Sequence, residues 1–178
     1  MKKWLIVVLV TFGLVGCRFS SEPVVKSTDA DPIVIQDTIN GLNFYVELNK
    51  DTFSKGEEIR VKAKVTNERG TTLTHVIGSS SCPTPIKILI TKPDEGYQLL
   101  EKGTENLVCT DDYGWGPFKP NETLEIDAVY VQKIRNSPSK KEAPRGTYEV
   151  KVLVTEILDV SSLEITPIAI NTTISLVE

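Results

Sequence analysis

The chain has 178 residues, 40% of them hydrophobic and 25% charged, with a formal net charge of −4. That balance excludes a disordered chain and a multi-span membrane protein. An acidic surplus also excludes nucleic acid as a partner, because phosphates demand basic surface.

The first element in chain order is an export signal. Lys2 and Lys3 precede an apolar run from Trp4 to Val15 that closes on Gly16 and Cys17. A charged start, a short apolar core and a small residue before a cleavage point are the parts of a signal peptide. The run is about a dozen residues long, and a membrane span needs about twenty. Leu14-Val15-Gly16-Cys17 resembles the lipobox of bacterial lipoproteins. That resemblance implies removal of residues 1–16, diacylation of the Cys17 thiol, and anchoring at the extracytoplasmic face of the cell membrane. Each acyl methylene contributes about 0.8 kcal/mol of membrane affinity, so two chains hold where one does not. Cleavage removes Lys2 and Lys3 and no acid, which takes the net charge to −6. The lipid alone must then hold the chain at an anionic membrane.

Residues 17–40 read as a lipid-anchored tether. They are polar and broken by Pro23 and Pro32, and such segments bury too little to order themselves. Within them a short strand is conceivable only at 33–35. The folded domain is expected over residues 41–178, a length suited to one domain.

From Leu42 onward, apolar and polar residues alternate with a period of two. This marks strands with one buried face. Phe44, Val46 and Leu48 form the first set, and Ile59, Val61, Ala63 and Val65 the second. Further strands are predicted over 71–77, 86–91 and 97–100, the last two joined by the turn Pro93-Asp94-Glu95-Gly96. Leu124 to Tyr130, Tyr148 to Val154 and Ile168 to Leu176 complete the series. Residues 82–85, 104–118 and 133–144 are predicted to be irregular. No stretch of ten residues shows helical periodicity. Seven or eight short strands in one domain predict an all-β, immunoglobulin-like antiparallel sandwich.

Two cysteines remain once Cys17 carries lipid. Cys82 and Cys109 in an exported chain read as a disulfide. Closing a loop of about 28 residues is worth about 3.5 kcal/mol on the chain-entropy model. A metal site would need more ligands than the single histidine, His75, supplies. Asp111 and Asp112 lack the spacing of a calcium loop, so no metal and no cofactor are expected. His75 has no nucleophile elbow near it, and no catalytic constellation can be assembled. The expectation is a protein that binds and does not catalyse. Its best anchors are Tyr113, Trp115 and Phe118, beside the cysteine pair and loosened by Gly114 and Gly116. Aromatic side chains on a pinned loop offer contact area at low entropic cost. The competing reading folds Trp115 back as a cap on the core.

Phe118-Lys119-Pro120-Asn121, followed by Thr123-Leu124-Glu125-Ile126 and later by Pro144-Arg145-Gly146-Thr147-Tyr148, resembles the intracellular proteinase inhibitor (BsuPI-type) domain family. Val65-Thr66-Asn67 ahead of Leu73-Thr74 is similar to another of its segments. The chain departs from the family at Asn121, where glycine is usual, in its cysteine pair and in its export signal. The resemblance implies an immunoglobulin-like fold. It also implies an alternative function, inhibition of extracytoplasmic serine proteases, although no motif marks a reactive loop. The primary expectation is a lipid-anchored interaction module recognising an envelope protein or polymer.

Replacing Cys17 with serine is expected to abolish labelling by radioactive palmitate and to remove the chain's acyl anchorage. Undiminished labelling of Cys17→Ser would refute the lipid assignment.

Overall fold

Alternation along each run becomes alternation of burial across a sheet. The computed structural model describes residues 31–135, 137, 139–159 and 164–178. The export segment and Cys17 lie outside the described residues. Twelve strands follow in order: β1 (Ile33–Ile39), β2 (Leu42–Leu48), β3 (Thr52–Phe53), β4 (Ile59–Asn67), β5 (Leu73–Ser79), β6 (Cys82–Pro83), β7 (Lys87–Lys92), β8 (Tyr97–Glu101), β9 (Gly114–Phe118), β10 (Thr123–Ile134), β11 (Gly146–Asp159) and β12 (Glu164–Leu176). No helix occurs among the described residues.

The strands form an immunoglobulin-like β-sandwich made by curling one sheet over on itself. One layer runs β1-β2-β4-β10-β8 and the other β7-β11-β12-β3. The β7–β8 hairpin is the corner: β8 pairs with β10 on one side and with β7 on the other. Every pairing is antiparallel except the two-residue match of β3 with β12. β5 leans on the far end of β11 through the pair His75 and Glu156, and carries β6 and β9. Between the layers lie Phe44, Val46, Ile59 and Val61 from one side and Ile90, Val150, Val152 and Ile168 from the other, all buried. Burying each such side chain contributes about 1.5–3 kcal/mol.

The eight predicted strands are β2, β4, β5, β7, β8, β10, β11 and β12. The domain, however, begins earlier than residue 41. β1 pairs with β2 along its whole length, from Ile33 opposite Leu48 to Ile39 opposite Leu42. The tether therefore gives way to sheet at Ile33. The turn between the two strands is Asn40-Gly41, both with left-handed φ (49° and 72°), and this dipeptide is a hairpin signal in its own right. Gly41 serves a second purpose. A Cβ there would lie 2.7 Å from Cγ of Arg69. Arg69 Nε donates to the Asn40 carbonyl (2.6 Å), and its two Nη atoms donate to Glu156 at 2.7 and 3.1 Å. One guanidinium thus joins the β1–β2 turn of one layer to β11 of the other, in the bidentate geometry that suits arginine.

Asn67 ends β4 and is fully buried. Its Nδ2 donates to the carbonyls of Phe118 (2.8 Å) and Thr71 (3.1 Å), and its Oδ1 accepts from the Arg69 amide (3.0 Å). Its main chain pairs with Glu122 and Asn121. Asn121 itself has φ 62°. Of the residues with a Cβ, asparagine tolerates this region best, so the Lys119–Glu122 turn closes without a glycine. The Pro144 to Tyr148 motif has an equally local cause. The Tyr148 hydroxyl donates to the Pro144 carbonyl at 2.6 Å, the tyrosine-corner bond of immunoglobulin-like folds. Burial, followed by nearby Glu95, raises that hydroxyl's pKa to about 12.

Asn67→Ala would leave two buried carbonyls and one amide without their partner. The expected cost is about 2–3 kcal/mol, read as a lower urea midpoint with an unchanged denaturant slope. A midpoint equal to wild type would show that the amide is dispensable.

Candidate functional site

Residues 80–85 and 102–113, which flank the β7–β8 hairpin, form with β9 a lobe on the outer side of β5, and local bonds hold it there. The disulfide is present: Cys82 and Cys109 are bridged, with Cα atoms 5.5 Å apart. Gly78 makes the tight β5–β6 hairpin feasible. Its φ is +88°, and a Cβ would sit 2.5 Å from the Cys82 carbonyl. The Thr84 amide closes the hairpin on the Ile77 carbonyl at 2.7 Å. Across the disulfide, the Thr110 amide donates to Ser81 Oγ (2.8 Å) and the Ser80 amide donates to the Asp112 carboxylate (3.2 Å). The Thr110 hydroxyl bonds the same carboxylate. Thr110 first, and then Ser80, hold the Asp112 carboxyl below its usual pKa. Asp112 is thereby occupied as a loop tie. Among the described residues no group of three or more His, Cys, Asp or Glu side chains converges on a metal position.

The sequence leaves 104–118 irregular, whereas residues Gly114–Phe118 form β9, paired with β5. Alternation is hidden there because two of the five residues are glycine and one is proline. The glycines permit close approach: a Cβ on Gly114 would meet Ile77 Cγ1 at 3.0 Å. Pro117 suits a strand that, among the described residues, pairs on one edge only.

The three candidate anchors do not act together. Phe118 is 0% exposed and belongs to the core. Its carbonyl is the one held by Asn67, so Phe118 is corrected from binding anchor to core residue. Trp115 is 48% exposed and Tyr113 73%. Phe118, not Trp115, caps this end of the core. Leu107 and Val108, which the sequence reading passed over, are also exposed, Val108 at 87%. Their signal was an apolar pair directly before Cys109 with no alternating partner, which marks side chains without a core face to join.

His75 lies inside β5, 3% exposed. Its Nδ1–H donates to the Gly116 carbonyl at 3.1 Å, and the ring rests against Phe118 with centroids 5.5 Å apart. Nε2 is buried without a partner. Burial lowers its pKa, opposed by the Gly116 carbonyl and Glu122.

The fold and this lobe define an immunoglobulin-like β-sandwich bearing a disulfide-tied, aromatic-edged appendage. No family model and no curated protein matches the chain. Among solved structures, part of an alpha-2-macroglobulin from Escherichia coli is similar at 11% identity and a TM-score of 0.41, covering 82% of this chain and 16% of that one. A FixG-related protein from Vibrio parahaemolyticus is similar at 11% identity and 0.39, covering 78% and 98%. Spo0M, a sporulation control protein from Bacillus subtilis, is similar at 15% identity and 0.40, covering 78% and 50%.

Two outcomes follow from this geometry. Replacing both Cys82 and Cys109 with serine is expected to cost about 3.5 kcal/mol, measured by urea unfolding; an unchanged midpoint would mean the lobe's other bonds suffice. Because the native His75 resists its proton, the unfolded chain binds it first. Stability is therefore lost as pH falls below about 6.5, the ordinary histidine value. His75→Asn keeps a donor and cannot titrate, so it should lose less stability than wild type between pH 7.5 and 5. Parallel losses would rule His75 out as the source.

Proposed function

We propose that this chain is a lipid-anchored, extracytoplasmic interaction module of the bacterial envelope, non-catalytic, that recognises a protein or polymer through the disulfide-tied lobe. The observation that carries the reading is the exposure of Trp115 and Tyr113 on a segment tied by the Cys82–Cys109 bridge, the Ser80, Ser81, Thr110 and Asp112 bonds, and β9. Large aromatic side chains cost free energy when left in water and serve as anchors when a partner covers them. A rigid mount means little further entropy is lost on binding. The reading also rests on the Cys17 lipidation motif. Residues 18–32 would separate the anchor from β1 by at most about 50 Å at full extension.

One observation favours a second reading, inhibition of an extracytoplasmic serine protease. Pro83 and Thr84 are exposed on a hairpin fixed by the disulfide and by the Thr84 to Ile77 bond. A pre-organised loop of that kind binds a protease cleft at low entropic cost.

The experiment places a photo-crosslinking phenylalanine analogue at Trp115 in the living cell, with exposed Asp127 on the β10 surface as the control site. A discrete adduct at 115, absent at 127 and lost with Tyr113→Ser, is expected. Identical patterns at the two positions would remove the aromatic surface from the proposal. In parallel, the full chain is titrated against secreted serine proteases. Stoichiometric inhibition with the chain left intact would replace the first reading with the second.

A further inference from the structure

Under the tied lobe lies a cleft of about 730 Å³ at the mouth between the two layers. Its apolar wall includes Ile86, Ile88 and Leu107, and Tyr130 stands beside them with its hydroxyl given to the Ile88 carbonyl at 2.8 Å. Its polar wall holds Gln98, Glu101 and Arg135. These three come together because β8 ends at Glu101, directly opposite Tyr130 on β10, while the Arg135 amide returns to the Gln98 carbonyl at 2.8 Å.

The two charges are the informative feature. Several surface acids and bases pair directly, as in Lys64 with Glu125 and Lys102 with Glu58. Among the described residues, neither the Glu101 carboxylate nor the Arg135 guanidinium makes a side-chain hydrogen bond or an ion pair. They sense each other's charge without touching. Burial raises the Glu101 pKa, and Arg135 opposes that rise. A half-buried carboxylate without a donor is costly. A lone cation would answer Glu101 but would be repelled by Arg135, and a lone anion would fail in the opposite way. A ligand carrying both charges a short distance apart satisfies both.

We propose that this cleft binds a free amino acid with an apolar side chain, its ammonium on Glu101, its carboxylate on Arg135 and its side chain against exposed Leu107 and the edge of Ile88. Lys87, Asp111 and Asp112 also line the cleft, and the Asp112 carboxylate is already taken by Ser80 and Thr110. The bidentate fork of arginine matches a carboxylate. The cleft shares Tyr113 with the aromatic surface but not Trp115, and its ligand would bind whether or not Trp115 takes a partner.

The test is a titration of the isotope-labelled full chain in detergent, followed by NMR at pH 7.5, with L-leucine, N-acetyl-leucine and leucinamide. L-leucine is expected to give saturable shifts in the cleft, with a Kd of about 1 mM or tighter. Each analogue lacks one charge and should bind about tenfold more weakly. Glu101→Gln should weaken leucine and leucinamide and spare N-acetyl-leucine. Arg135→Gln should weaken leucine and N-acetyl-leucine and spare leucinamide. This crossed pattern cannot arise from misfolding, and Glu101→Asp and Arg135→Lys should restore part of the selectivity. No saturable shift, equal binding of all three ligands, or uniform loss of all three in both variants would overturn the proposal.

Discussion

A single buried side-chain amide sets the geometry on which the rest of this sandwich depends. Asn67 ends β4 at the point where the chain must turn toward β5, and its donors and acceptor meet Phe118, Thr71 and Arg69. Through the Phe118 carbonyl it fixes the end of β9. Through its main-chain bonds to Asn121 and Glu122 it fixes the start of β10. A buried amide is stabilising only when its hydrogen bonds are all made, so the four segments it touches are held in one arrangement. Two neighbouring features rest on that arrangement. Arg69, whose amide Asn67 accepts, is placed to bridge Asn40 and Glu156. Phe118, whose carbonyl Asn67 holds, is placed to cover His75 and close the core.

The lobe follows from the same anchoring. With β9 held at Phe118 and β5 held by its place beside β11, residues 80–85 and 102–113 leave and rejoin the sheet at defined points. Short-range ties then give the excursion a shape: the disulfide, the Gly78 hairpin and the bonds of Thr110 and Asp112. A segment of that length without secondary structure of its own would be costly to order. These ties supply the order locally. Both candidate sites are by-products of that ordering, since the lobe carries Tyr113 and Trp115 and also roofs the cleft at Glu101.

How much of this was legible depended on whether a strand alternates. β2, β4, β10 and β12 each set one apolar face against one polar face over seven or more residues, and a period of two needs no structure to be seen. β3 and β6 are two residues long, too short for any period. β9 hides its alternation behind Gly114, Gly116 and Pro117, residues chosen for backbone approach and edge position and not for a buried face. β1 was obscured by Asp37 and by the polar segment before it, although Asn40-Gly41 announced its hairpin. Among the site residues, the cysteine pair was legible from the export signal and the count. Glu101 and Arg135 were not, because 34 positions separate them and neither belongs to a motif.

By itself, then, the sequence determined the all-β class, the core faces of eight strands, the disulfide partners and the expectation of a lipid anchor. Those properties depend on neighbours in the chain: a period, a hydrophobic run, a parity of cysteines. The tertiary structure decided which aromatic side chains face water. Phe118 is buried and Trp115 exposed, although three positions separate them. The cause is pairing with β5, which turns one toward His75 and the core and the other outward beside Val76. It also decided that Glu101 and Arg135 meet across one cleft. Burial and encounter are set by which strands lie side by side, and that order depends on contacts between segments distant in the chain.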